Sequence, residues 1–295
     1  VPFPDFLIIG APRCGTTWLS RSLRQHPAVW LPPEKELNYF NYAIVRGPFR
    51  RCRTLCTQFP LRACLRKRTG WLFTQPHRSK AAWTLRYVFG ARSDEWYAKL
   101  FDGARGRIAG EATPTYAGLP RSTIARIHYR MPRAKILYLL RDPIDQMWSH
   151  FRFICALHGR SATVVPDEEA IRFFTGHIPQ RSADYGGNLR RWREFYPDVR
   201  VFFFEDMVRD PRGFLTEIFR YLGVADAPGI ALLPENARNA APAFPMPPRV
   251  RAFLARLCHP GLRELSGSIG GYTTQWLREA ESIIGAADNI AIPLR

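Results

Sequence analysis

The 295-residue chain is 46% hydrophobic and 13% aromatic, which excludes a disordered tail and provides for a buried core. No apolar run nears the ~20 residues that cross a bilayer, and six cysteines without paired C-x-x-C spacing exclude the common zinc frameworks, leaving free thiols of a reducing compartment. With 43 basic against 25 acidic residues, the net charge of +18 sets up a field that draws anions.

In chain order, Phe6 to Ile9 reads as a short buried strand, followed by a Gly/Pro turn and a helix to about His26-Pro27. Val29 to Leu31 reads as a second strand, closed by Pro32-Pro33. Residues 46–92 then carry twelve Lys or Arg and no acid, with Leu, Trp and Phe at roughly helical spacing. This stretch reads as a basic helical insertion or cap, its charge serving either as a solvated face or as a surface for an acceptor or an anionic membrane.

Ile108 to Glu111 is a further strand, with Thr113-Pro114-Thr115-Tyr116 as its exit loop. Ile124, Ile127 and Met131 form a helical stripe, and Lys135 to Leu140 a strongly apolar strand. Asp142 then fits an N-cap and Pro143 the first helical position. Ile144, Met147, Trp148, Phe151 and Cys155 keep the spacing of a core-facing helix. Val199 to Phe204 reads as another strand, and Phe214 to Leu222 as a helix that Gly223 ends. A Pro-rich stretch at 242–248 precedes a late helix marked by Val250, Phe253, Leu254 and Leu257.

Strands alternating with helices imply an α/β fold, with a mostly parallel, P-loop-like sheet flanked by helices on both faces and one domain over 1–295. Such sheets bind ligands beyond the carboxyl ends of their strands. Two anion motifs fall at such ends. After the first strand, Gly10-Ala11-Pro12-Arg13-Cys14-Gly15-Thr16-Thr17 has the glycine spacing of a nucleotide triphosphatase loop, G-x-x-x-x-G-K-[ST], but Thr16 stands where that loop has Lys. The cation is Arg13 instead. The second motif is Arg141 after the Lys135–Leu140 strand, a place at a helix start that suits a cation only with an anion beside it.

The string Pro12-Arg13-Cys14-Gly15-Thr16-Thr17-Trp18 resembles the 5′-phosphosulfate loop, usually P-K-x-G-T-T, of sulfotransferases that use 3′-phosphoadenosine 5′-phosphosulfate (PAPS). Arg141, with Ser149 eight residues on, is similar to that family's 3′-phosphate site. Lys35-Glu36-Leu37-Asn38-Tyr39-Phe40 is similar to the K-E-x-x-(F/Y)-F segment that carries the base in Golgi-type and many bacterial members.

The resemblance implies a P-loop-like sulfotransferase with PAPS as donor, adenosine 3′,5′-bisphosphate as product and no metal. It implies cofactor contacts from Arg13, Cys14, Gly15, Thr16, Thr17, Arg141 and Ser149, with Trp18 at a position that contacts adenine in cytosolic members and equally suits the core. Arg238 stands for the third cofactor loop. Arg13 is expected to stabilise the leaving phosphate and Glu36 to act as general base, with His26 a weaker rival for that role. Glu111 either helps bind the acceptor or buttresses its loop. Here Glu111-Ala112-Thr113-Pro114-Thr115-Tyr116 lacks the Lys of the heparan-type E-K-x-P-x-Y, which speaks against a heparan-like acceptor. The expected partner is a small-molecule, glycan or lipid acceptor and not nucleic acid. The expected location is cytoplasmic or at a membrane surface, with an anchor upstream of Val1 left open. The competing readings are a P-loop kinase and a non-catalytic protein that binds an anion, nucleic acid or a membrane surface.

Overall fold

Residues 3–42, 78–232 and 244–291 are described in the computed structural model. Their strands are β1 (Phe6–Gly10), β2 (Val29–Trp30), β3 (Ile108–Ala112), β4 (Lys135–Leu140) and β5 (Val199–Phe203). They form one sheet in the order β2-β3-β1-β4-β5, and every neighbouring pair is parallel. Phe6 pairs with Gly110 on one side and with Lys135 on the other, so β1 lies at the centre. All five residues of β1 and all but the first of β4 are buried, which is why these strands are continuous apolar runs rather than alternating ones.

The chain leaves β1 toward β2 and leaves β4 toward β5, on opposite sides. The carboxyl ends of β1 and β4 therefore flank a topological switch point, the usual ligand crevice of open parallel sheets. Three helices position what lies there: α1 (Thr16–Leu23), the four-residue α2 (Tyr39–Tyr42), and, further on, a long helix after β4. Before β3 come α3 (Arg78–Phe89) and α4 (Asp94–Lys99), and α5 (Arg121–Arg130) precedes β4. The helix after β4 is α6 (Pro143–Leu157). Asp142 caps it by accepting the Ile144 amide at 2.8 Å, Pro143 opens it, and its five expected core residues are all buried.

Several boundaries differ from the sequence expectation. Helix α1 ends at Leu23, because the His26 ring is drawn into the core, where it bonds the Ala225 carbonyl at 2.9 Å and the Ala28 amide at 3.1 Å. β5 stops at Phe203, and Phe204 opens α10 (Phe204–Arg209). Between α6 and β5 lie three helices that the sequence reading did not separate: α7 (Asp167–Phe174), α8 (His177–Ala183) and α9 (Tyr185–Arg193). After α11 (Pro211–Leu222), ended by Gly223 at φ 80° as expected, the single late helix proves to be two. α12 (Pro248–Ile269) runs on through Pro260, and α13 (Tyr272–Ala291) follows the Gly270-Gly271 turn. Within the basic 46–92 stretch, residues 46–77 lie outside the described residues; α3 accounts for most of the rest.

Candidate active site

The loop after β1 is closed at both ends by glycines where a side chain would be crowded or strained. A Cβ at Gly10 would come within 2.8 Å of the Ala117 Cβ and the Pro114 carbonyl; one at Gly15, which has φ 81°, would meet the Met207 methyl at 2.6 Å. The Ala11 amide donates to the Leu139 carbonyl at 2.7 Å, tying the loop to β4. From α6, Gln146 donates to the Pro12 carbonyl at 2.9 Å and to Ser182 Oγ at 3.0 Å. Cys14 points inward, 3.8 Å from the Tyr185 hydroxyl, and burial pushes its thiol up to about 12. Only its backbone is available to a ligand. Helix α1 then starts at Thr16 with no side-chain cap and no acid in its first turn. Its N-terminal amides and positive dipole end therefore lie at the end of the loop, an arrangement suited to an anion.

Arg13, at φ 67°, reaches out of this loop toward the second motif. Its Nε donates to Ser149 Oγ at 3.2 Å, and its guanidinium lies 4.8 Å from the centre of the Phe153 ring. Ser149 is buried on α6 two turns beyond Asp142. Arg141, at the end of β4, sits 4.6 Å over the Phe204 ring and 3.7 Å from Asp145. Burial lowers the pKa of Arg13, and repulsion from Arg141 and Arg152 adds to this. Three guanidinium groups thus bear on one crevice, a repulsion that a multiply charged anion would relieve.

Beside them lies a cleft of about 410 Å³, lined by Arg141, Asp145, Trp148, Arg152, Phe244 and Arg251 among others. Arg251 comes from α12 and stands 3.8 Å from Asp145. Its place at the cleft was not anticipated. Arg238 lies outside the described residues.

The third motif follows β2. Arg24, at the end of α1, donates to the Pro32 carbonyl and to that of Pro33 at 3.2 Å, which fixes the entry to the Lys35-Glu36 segment. The Glu36 amide donates to the Ala112 carbonyl at 3.0 Å, hanging the segment on the end of β3. Glu36 and Asn38 have φ of 63° and 55°. Of the four described non-glycine residues at positive φ, three (Arg13, Glu36 and Asn38) are in the two site loops, where such strain is characteristic of functional sites. The Glu36 carboxylate is about half exposed, while Lys35 turns inward. The Lys35 ammonium donates to Thr17 Oγ1 at 2.9 Å, Thr16 Oγ1 at 3.2 Å and Glu36 Oε1 at 3.2 Å. Burial lowers its pKa, opposed in part by Glu36.

Beneath this segment Glu111 is 1% exposed and accepts from Thr113 Oγ1 at 2.7 Å, the Tyr116 hydroxyl at 2.9 Å and the Tyr97 hydroxyl. Burial pushes its carboxyl up to about 7 despite these donors. The same hydroxyls meet the segment above: Tyr116 accepts the Phe40 amide at 3.3 Å, and Thr113 the Asn38 amide at 3.5 Å. Of its two anticipated roles, Glu111 has the geometry of the buttress, since a carboxylate this buried does not reach an acceptor. His26 is 3% exposed with both ring nitrogens engaged, a structural position. Trp18 is 6% exposed, with its ring 6.2 Å from that of Phe214.

A five-stranded parallel sheet with a glycine-bounded loop after its central strand, and an arginine after the next strand across the switch point, defines an α/β protein of P-loop-like architecture. The chain belongs to the sulfotransferase family, whose model matches residues 4–228. It is 27% identical over 154 residues to the membrane-associated sulfotransferase kil1 of Dictyostelium discoideum, and 29% identical over 172 residues to carbohydrate sulfotransferase 15 of Rattus norvegicus. These matches cover 51% and 52% of this chain but only 23% and 28% of the relatives' own lengths. A crystal structure of a sulfotransferase from Alicyclobacillus acidocaldarius shares the fold with a TM-score of 0.62 at 25% identity, over 94% of this chain and 99% of that one. The sulfotransferase domain from the curacin biosynthetic pathway shares it with a TM-score of 0.51 at 20% identity, over 77% of each chain.

Proposed function

We propose that the chain transfers a sulfuryl group from PAPS to an acceptor hydroxyl, less readily an amine, and releases adenosine 3′,5′-bisphosphate. The observation that carries this reading is the Arg13–Ser149 hydrogen bond. It brings the two motifs, 136 residues apart, together at the switch point, which supports reading them as one anion crevice. In this reading the amides of Cys14 to Thr17, the Thr16 and Thr17 hydroxyls and Arg13 hold the 5′-phosphosulfate. Arg141 and Ser149 grip the 3′-phosphate, with Arg152 and Arg251 adding charge at the cleft; Trp18, packed on Phe214, supports the fold beneath.

Sulfuryl transfer, like phosphoryl transfer, depends on alignment and on charge stabilisation of a loose in-line transition state. Arg13 neutralises charge growing on the leaving phosphate, and Glu36, accessible and hung on the end of β3, takes the acceptor's proton. The carbohydrate sulfotransferase among the relatives supports a glycan acceptor, with lipids and small metabolites as the other hydroxyl bearers. The membrane-associated relative supports a contact between the basic 46–92 stretch and an anionic surface, and no described helix is long and apolar enough to cross a membrane. We treat residues 1–295 as one catalytic unit.

Calorimetry with adenosine 3′,5′-bisphosphate and with ATP, each with and without Mg²⁺, tests the donor class. Metal-independent binding of the bisphosphate, tighter than that of ATP, is the expected result; a preference for Mg-ATP would move the chain to the kinases.

A further inference from the structure

Lys35 is in an unusual place for a cation. Its ammonium reaches the hydroxyls of Thr16 and Thr17, the first two residues of α1, where the helix macrodipole repels positive charge. All three of its N–H donors are engaged there, two on neutral hydroxyls and one on Glu36. A salt bridge to a half-exposed carboxylate is worth about 0–1 kcal/mol and does not by itself account for drawing a lysine inward. A negatively charged group bound at the same helix start does. Arg13, the cation of the loop after β1, is turned across to Ser149 and Phe153, and a guanidinium does not give up its proton.

We propose that Lys35 is the titratable cation of the transfer step, holding the 5′-phosphate end of the donor and working with Glu36 as a proton-carrying pair. The inference rests on the sulfotransferase reading above and adds a residue to it. In the step itself the acceptor oxygen bonds to sulfur. The bond from sulfur to the 5′-phosphate oxygen breaks, and its electron pair stays on that oxygen. The acceptor's proton passes to the Glu36 carboxylate while Lys35 gives a proton to the leaving oxygen. Proton transfer from Glu36 to Lys35 across their 3.2 Å contact restores both. The net result is one proton moved from acceptor to phosphate.

The test needs no acceptor. Wild type, Lys35→Met and Lys35→Arg are titrated by calorimetry with adenosine 3′,5′-bisphosphate, adenosine 5′-monophosphate and adenosine 3′-monophosphate. Lys35→Met is expected to weaken the two 5′-phosphorylated ligands at least tenfold and to leave the 3′-monophosphate within twofold, which also shows that the variant is folded. Lys35→Arg is expected to keep bisphosphate affinity within about threefold. At pH 9, titration in buffers of different ionisation enthalpy is expected to show proton uptake on bisphosphate binding by wild type, because burial lowers the free lysine's pKa and a bound phosphate raises it again. Lys35→Arg should show none.

Unchanged affinity of Lys35→Met for the 5′-phosphorylated ligands, or proton uptake persisting in Lys35→Arg, overturns the proposal while the donor reading stands. If Lys35→Met also loses the 3′-monophosphate, the Lys35→Arg proton measurement decides. A wild-type chain that binds no bisphosphate overturns the donor reading, and this inference with it.

Discussion

The Arg13 side chain donates from Nε to Ser149 Oγ at 3.2 Å, so the loop after β1 and the helix after β4 meet through one hydrogen bond. In the proposed complex Ser149 serves the 3′-phosphate, while Arg13 serves the other end of the nucleotide. Removing the hydroxyl separates these roles. Ser149→Ala is expected to weaken adenosine 3′,5′-bisphosphate about ten- to a hundredfold, the scale of one hydrogen bond to a charged group at about 1.5–3 kcal/mol. Adenosine 5′-monophosphate should bind the variant as it binds wild type, by calorimetry.

Arg141 offers a planar fork, and its guanidinium carbon lies 4.6 Å over the centre of the Phe204 ring. Lysine supplies charge without the fork. Arg141→Lys should therefore lose most of the affinity that Arg141→Met loses, with both at least tenfold weaker for the bisphosphate. Equal binding by wild type and Arg141→Lys would show that only net charge matters at this end.

Glu36→Gln keeps the segment's shape, because its backbone bonds to Ala112 and Asn38 do not involve the carboxylate. Loss of a general base typically costs about 10²–10⁴-fold in rate. Transfer of label from radiolabelled PAPS to a pool of candidate acceptors should fall by at least a hundredfold, with bisphosphate affinity within threefold. Surviving turnover would remove Glu36 from the base position.

Glu111 predicts a pH dependence of stability. Its carboxyl is raised from the ordinary 4.5 to about 7 in the folded chain, so between those values the folded state holds a proton that the unfolded state has released. The resulting stability is present in full below about pH 4.5 and is lost as pH rises through about 7. Asp142, also raised to about 7 by burial, acts in the same direction; His150, lowered to about 4 by burial and by Arg13, acts in the opposite one. The comparison of wild type with Glu111→Gln isolates the one group. The stability of Glu111→Gln relative to wild type should rise by roughly 1–3 kcal/mol from pH 4.5 to pH 8 in urea melts. A flat difference would mean that Glu111 is ionised throughout.

What the sequence revealed depended on how local each signal was. β4 and the Asp142-Pro143 start of α6 were legible to the residue, because an apolar run, a cap and a proline are all local features. The stripe of Val250, Phe253, Leu254 and Leu257 marks only the first half of α12, which continues through Pro260, because packed helices tolerate an interior proline at the cost of one backbone bond. α13 carries Trp276, Ala280, Ile283 and Ile284 at helical spacing, a stripe present in the sequence and passed over. α7 to α9 are eight, seven and nine residues long, shorter than the window over which helical periodicity can be read. At the site, Arg13, Arg141, Ser149 and Glu36 could be picked out by motif. The contact of Lys35 with Thr16 and Thr17, and the arrival of Arg251 from α12, exist only in three dimensions.

A crystal structure of the chain with adenosine 3′,5′-bisphosphate tests most directly whether the two motifs hold one nucleotide. A single nucleotide is expected to span the crevice, its 5′-phosphate on the Gly15–Thr17 amides and its 3′-phosphate on Arg141 and Ser149. A nucleotide bound elsewhere, or one whose two phosphates do not reach both motifs, would contradict it.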